Sequence, residues 1–139
     1  SFLGIRMEHQ KCDYVRAVLE GIAMNLDVIL KAQREHIEGK ELILTGGGAK
    51  GDVLAQILAD VMGVTLHRLD HVETATSIAA AVIAGVGVGV FKDFSVVDQF
   101  VKTDKTFYPR EEYRKVYDRQ KKLFELGYQC LLPYYREDA

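Results

Sequence analysis

Apolar residues recur at Val15, Val18, Leu19, Ile22, Leu26, Ile29 and Leu30, in steps of three and four. That spacing predicts a long amphipathic helix over residues 11–36 with one face turned to a core. Asp13 lies in its first turn, where the helix dipole favours negative charge, and Gly39 is a natural stop. Arg16 and Glu20 stand four apart, the separation of a solvated ion pair that stabilises a helix by about 0.2 to 0.5 kcal/mol. The run Glu-Leu-Ile-Leu-Thr at 41–45 is closed by three glycines and reads as a buried strand ending in a tight loop. Helical spacing returns at Val53, Leu54, Ile57, Leu58 and Val61, with Gly63 as its stop, and residues 64–69 read as a second strand.

A helix of small residues then runs from Thr74 through Ala84 toward Gly89. Small side chains let backbones approach closely, so this helix is expected to pack tightly against a sheet or another helix. The apolar stretch at 77–91 is only 15 residues long, short of the ~20 of a spanning helix, and is read as a core helix. Beyond Phe91 the pattern weakens. Residues 94–101 suggest a short amphipathic turn and 106–108 an extended piece. Residues 110–126 suggest a helix punctuated by Pro109 and Gly127, and 128–139 a strand-like or irregular end. The sum is one domain with two strands and four helices.

Composition narrows the function classes. The chain has 139 residues, 48% of them hydrophobic, enough for one core. Its 18 basic and 20 acidic residues are interspersed, and a net charge of −2 offers no basic face to a phosphate backbone, which argues against a nucleic-acid role. Cys12 and Cys130 form neither a disulfide framework nor a C-x-x-C pair, as fits two reduced thiols in a cytoplasmic protein. The opening SFLGIRMEHQ lacks the basic-then-apolar order of a signal peptide. Position 1 is not Met, and the chain is expected to be part of a longer one.

The candidate chemistry lies in Thr-Gly-Gly-Gly-Ala-Lys-Gly-Asp at 45–52, where a strand gives way to a helix. Glycines allow a ligand close to the backbone, and free N–H groups at a helix start suit anions. The pattern is neither G-x-x-x-x-G-K-[ST] nor a full G-x-G-x-x-G, so a nucleotide-phosphate loop and a plain tight turn both remain open. Lys50 is a phosphate-seeking point charge or a surface lysine. Asp52 and Glu73 read as helix caps. Of His9, His36, His67 and His71, only the last two are four apart, and they bridge a strand and a loop; no metal site is expected.

Taken together, these segments resemble the FGGY family of carbohydrate kinases, especially its xylulose-kinase-like branch. The resemblance rests on residues 46–64, on Arg-Ala-Val-Leu-Glu-Gly-Ile-Ala at 16–23, on residues 73–85, and on the tyrosine-bearing stretch 109–126, all in the family's order. It implies an α/β fold: an incomplete ribonuclease-H-like domain of the actin-like ATPase superfamily, helix-rich with a short parallel sheet. Residues 1–139 would be part of the C-terminal domain, with the N-terminal catalytic domain and the domain's own first strands absent. The implied reaction moves the γ-phosphate of ATP to a sugar hydroxyl, xylulose or a related pentulose, with Mg2+ brought by the nucleotide. Gly46, Gly47, Gly48 and Gly51 would line the nucleotide and Lys50 would assist electrostatically. No catalytic residue is expected here, so the chain alone would be inactive.

Gly51, where relatives often carry Ser or Asn, Asp52, where they often carry Pro, and Ile78, where they often carry Gly, depart from the family pattern. A strand at 42–44 would leave an unpaired edge, which favours self-association or pairing with the missing half. The alternative is a non-catalytic kinase-like interaction module that keeps the glycines for folding. An actin-like or chaperone-type ATPase fragment would share the glycines but not the 16–21 and 77–89 patterns together.

Overall fold

The computed structural model describes residues 1–33 and 39–137. Four helices, α1 (Lys11–Gln33), α2 (Asp52–Met62), α3 (Ala75–Gly87) and α4 (Arg114–Glu137), alternate with three strands, β1 (Glu41–Leu44), β2 (Thr65–Leu69) and β3 (Thr103–Phe107). Short 3-10 turns occupy Gly47–Lys50, Phe94–Gln99 and Glu111–Tyr113. The predicted last residues of the first helix, and His36, lie outside the described residues.

The start of α1 is fixed reciprocally. Asp13 Oδ2 accepts from Gln10 N at 2.8 Å while Asp13 N donates to the Gln10 carbonyl at 3.0 Å, which satisfies donors that a helix start leaves without partners. Arg16 and Glu20 are paired at 2.8 Å, but the pair is more than a solvated one. Arg16 Nη2 donates to the Tyr117 hydroxyl at 3.2 Å, and that hydroxyl donates to Glu20 Oε1 at 3.1 Å, which joins α1 to α4. Burial raises the Tyr117 phenol's pKa, so it stays a neutral donor.

The inner face of α1 differs from the one its periodicity selects. Leu19 and Leu30 turn to the core with Ala23, Met24 and Asp27, whereas Val15, Val18, Ile22, Leu26 and Ile29 are exposed. Two contacts set this rotation. Ala23 is small enough for α1 to approach α2 closely. Buried Asp27 meets lysines from two helices, with Oδ2 lying 2.8 Å from Lys31 Nζ and 3.1 Å from Lys121 Nζ.

Helix α2 lies between the sheet and the α1/α4 pair, and its residues Ala55 and Ile57 to Met62 are all buried. Gly63 ends it with φ 65°, and its N–H returns to the Ala59 carbonyl at 2.8 Å. Strands β1 and β2 pair in parallel, Leu42 against Leu66, as expected for two strands joined by a helix. The short parallel sheet expected from the sequence is nevertheless a mixed one. Strand β3 adds antiparallel to β2, Leu66 against Phe107, and begins three residues earlier than the extended piece foreseen at 106–108. Its exposed first residues, Thr103, Asp104 and Lys105, hide it from a hydrophobic reading. Strand β1 is left at the edge, with Ile43 69% exposed.

Two helices correct the sequence reading. Only Val82 of α3 is buried, so the helix expected to be a packed core element is mostly exposed. Its small residues serve one close contact: a Cβ on Gly85 would lie 2.4 Å from the Phe91 ring, which folds back on the helix beside Phe100. No helix among the described residues is long and apolar enough to cross a membrane. Helix α4 does not stop at Gly127, and residues 128–137 are helical rather than strand-like. Tyr117, Lys121, Phe124, Gly127 and Leu131 form one half-buried or buried row at helical spacing, and that continuous face outweighs a glycine cost of roughly 1 kcal/mol. Glycine at 127 also admits Leu3, whose Cδ1 would lie 3.1 Å from an added Cβ.

Asp60, 3% exposed on α2, anchors the segment after β3. It accepts from Arg110 N at 2.9 Å, from Arg110 Nη2 at 2.6 Å and from Gln56 Nε2 at 3.0 Å. Asp60→Ala removes the acceptor of these donors and of Arg110 Nε at 3.1 Å, and is expected to lower stability by about 2 to 3 kcal/mol, read as a fall in the urea midpoint with unchanged slope. A loss of only a few tenths would show that water replaces the carboxylate.

Candidate functional site

The glycine motif forms an open turn between β1 and α2. Gly46 has φ 87° and ψ 175°, a conformation that glycine alone adopts without strain, and its N–H reaches across to the Val72 carbonyl at 3.2 Å. The chain then tightens into the Gly47–Lys50 turn, closed by Ala49 N donating to Gly46 O at 3.0 Å. Ala49, 1% exposed, is the turn's foot in the core. Gly51, extended at φ −85°, is the N-cap of α2 without any side-chain cap, and helix geometry leaves the next amides pointing outward without intrahelical acceptors.

All four predicted glycines, Gly46, Gly47, Gly48 and Gly51, therefore come together in one ledge. Added Cβ atoms at 46, 47 and 51 would meet nothing within 4 Å, and one at 48 only Leu54 Cδ2 at 3.8 Å. Packing inside the chain does not require these residues to be glycine, apart from the backbone angle at Gly46. Lys50 is in the same turn, but its ammonium pairs with the Glu73 carboxylate from the loop before α3. Glu73 is thus not the cap expected of it; Thr74 holds the cap position and makes no side-chain cap bond.

Asp52 is not a cap either. Its carboxylate accepts from Arg68 Nη1 and from Lys105 Nζ, each at 2.6 Å. Hydrogen bonding to Lys105 first, and to Arg68 second, holds the Asp52 carboxyl below the usual carboxylate range. Arg68 also donates through Nε and Nη2 to Asp104 Oδ2, at 2.9 and 2.6 Å, and these bonds keep the guanidinium firmly charged. Sequence reasoning missed Arg68, Asp104 and Lys105. The signal was a charge in the middle of the second apolar strand, whose cross-strand partner proves to be Lys105.

A cavity of about 490 Å³ adjoins the loop that receives Gly46, lined by His71, Thr74, Ile78, Val82, Phe91 and Phe100. A second, of about 460 Å³, lies between α1 and α4 over Asp27 and Lys121. Neither includes a glycine of the turn, which is a ledge rather than a cleft. No group of three or more His, Cys, Asp or Glu among the described residues could hold a metal ion. Cys12 and Cys130 are free and exposed.

Residues 1–88 match the C-terminal domain of the FGGY family of carbohydrate kinases. This chain belongs to that family. It is 38% identical over 130 residues to the xylulose kinase of Staphylococcus epidermidis, covering 92% of this chain and 26% of that protein. It is 34% identical over 137 residues to the autoinducer-2 kinase of Salmonella typhimurium, covering 93% of this chain and 25% of that protein. The whole chain superposes on ligand-bound xylulose kinase from Lactobacillus acidophilus with a TM-score of 0.86 at 26% identity, covering 28% of that structure. The FGGY chain thus spans about a quarter of the length of the curated relatives it matches. Its fold is that of the FGGY sugar kinases, members of the actin-like ATPase architecture, here helix-rich with a small mixed sheet.

A carboxyl whose folded pKa is depressed contributes stability above its unfolded pKa and loses it as pH falls through the lower folded value. The Asp52 ion pairs should thus contribute above the ordinary carboxylate range and be lost only as pH falls through the lowered folded value. Carbon-detected NMR titration should place the Asp52 midpoint below 3.8, and Lys105→Met should move it upward. A midpoint at or above 3.8 would mean the pairs do not persist in solution.

Proposed function

We propose that this chain is the C-terminal, nucleotide-binding part of an ATP-dependent sugar kinase whose acceptor is xylulose or a related pentulose. The observation that carries the reading is the glycine turn at the start of α2, with open space against its glycines, in a chain of a carbohydrate-kinase family. Gly46, Gly47, Gly48 and Gly51 present backbone to the nucleotide, and the outward amides at the start of α2 favour its negative groups. Lys50 supplies a mobile cation. Its pairing with Glu73 is solvent-exposed and contributes little, so a phosphate can replace the carboxylate at small cost. Mg2+ enters with the phosphates of the nucleotide.

Phosphoryl transfer also needs an in-line acceptor hydroxyl and a group to take its proton. No residue of this chain is assigned to either task, so the chain by itself binds nucleotide without turning over sugar. The pentulose is supported by the similarity to the Staphylococcus epidermidis xylulose kinase and the Lactobacillus acidophilus structure. The autoinducer-2 kinase match at 34% shows how wide the range of acceptors is at nearly the same similarity.

Gly47→Val is the sharpest test, because nothing lies within 4 Å of the added side chain's first atom and the fold should survive. In the protein at its natural length, calorimetric ATP affinity should fall at least tenfold, with pentulose phosphorylation falling alongside. Undisturbed ATP binding would overturn the assignment of the turn. A protein that binds ATP yet phosphorylates no sugar would favour the non-catalytic interaction module.

A further inference from the structure

The glycine turn has little to hold its shape from within. Its glycines at 46, 47 and 51 touch no side chain on the Cβ side, and glycine is the least conformationally restricted residue. Besides the Ala49 foot, the Gly46 bond to Val72 and the solvent-exposed Lys50–Glu73 pair, one largely buried side chain holds the turn from outside. Arg68 projects from β2, 14% exposed, with its guanidinium 5.6 Å above the Phe107 ring. Its Nη1 donates to Asp52 Oδ1 at 2.6 Å and lies 3.4 Å from Ala49 O and 3.5 Å from Lys50 O, the carbonyls at the end of the turn. Asp104 grips the other edge of the guanidinium through Nε and Nη2, so the fork cannot swing away.

We infer that Arg68 is the positioning residue of the glycine turn, a side chain that never meets the ligand but fixes the backbone that does. The rigid, planar fork is essential to this. One edge is spent on Asp104 while Nη1 faces Asp52 and both closing carbonyls, an arrangement that the single ammonium of a lysine cannot reproduce. Lys105 shares Asp52 but bonds neither carbonyl, so it offsets charge without shaping the turn. The ligand side of the inference rests on the nucleotide reading above; the hold on the turn stands on geometry alone.

Two readouts separate these layers. Hydrogen exchange without nucleotide, in the protein at its natural length, should speed up at least tenfold at the hydrogen-bonded amide of the turn, Ala49 N, in both Arg68→Gln and Arg68→Lys. Amides 57–61 inside α2 should stay within about twofold of wild type, which shows that the variants fold. Unchanged exchange at Ala49 N, equal acceleration throughout α2, or full rescue by lysine would overturn the inference. With MgATP as the probe, both variants should raise the KM for ATP about tenfold and leave the KM for sugar within twofold. If wild type binds no ATP, the nucleotide reading falls, while the exchange measurement still decides the role of Arg68.

Discussion

An eleven-residue helix that is buried on nearly every side is the constraint on which the rest of this structure depends. Helix α2 faces β2 and β3 on one side and α1 and α4 on the other, so its buried residues are small or apolar except Asp60, which is bonded to Arg110. Ala55 and Ala59 are both fully buried. Because the candidate site is the lead-in to this helix, the ledge starts from a deeply buried part of the molecule. Ala49 buries the turn's foot in the core, and the glycines around it remain free to face a ligand.

Charge is then used to tie the surrounding elements to that centre. Asp60 on α2 holds the segment after β3, Asp27 on α1 receives a lysine from α4, and Asp52 at the start of α2 joins residues of β2 and β3. The first two are buried, where a carboxylate tolerates desolvation only with cations beside it, and each is placed within reach of an Arg or Lys from another element. Such pairs fix geometry more than they add net stability. In this chain they set the rotation of α1, the docking of α4 and the shape of the turn.

The elements around the glycine motif were legible in the sequence because local rules decide them. An apolar strand closed by glycines, a helix with apolar spacing and a Gly63 stop need only backbone preferences and periodicity, and the structure places β1, α2 and β2 within a residue or so of the expectation. The long-range partners were not legible. Asp52 and Glu73 read as caps, since a cap is the local role of an acid at a helix start, yet both meet cations from distant elements. Strand β3 was foreshadowed only in part, because its polar first residues pair with β2 through backbone bonds that carry no hydrophobic signature.

The sequence by itself determined the family, the order of the elements and the concentration of glycines where a strand meets a helix. Each is written in contiguous residues whose conformational preferences act over a few positions. Only the tertiary structure decided which face of α1 is inner, that α4 runs on through Gly127 and Pro133, and that Arg68 reaches the turn from a different strand. These depend on which surfaces come together. Close packing selects among faces of similar hydrophobicity, and an ion pair between residues far apart in the chain exists only once the fold has brought them within a few ångströms.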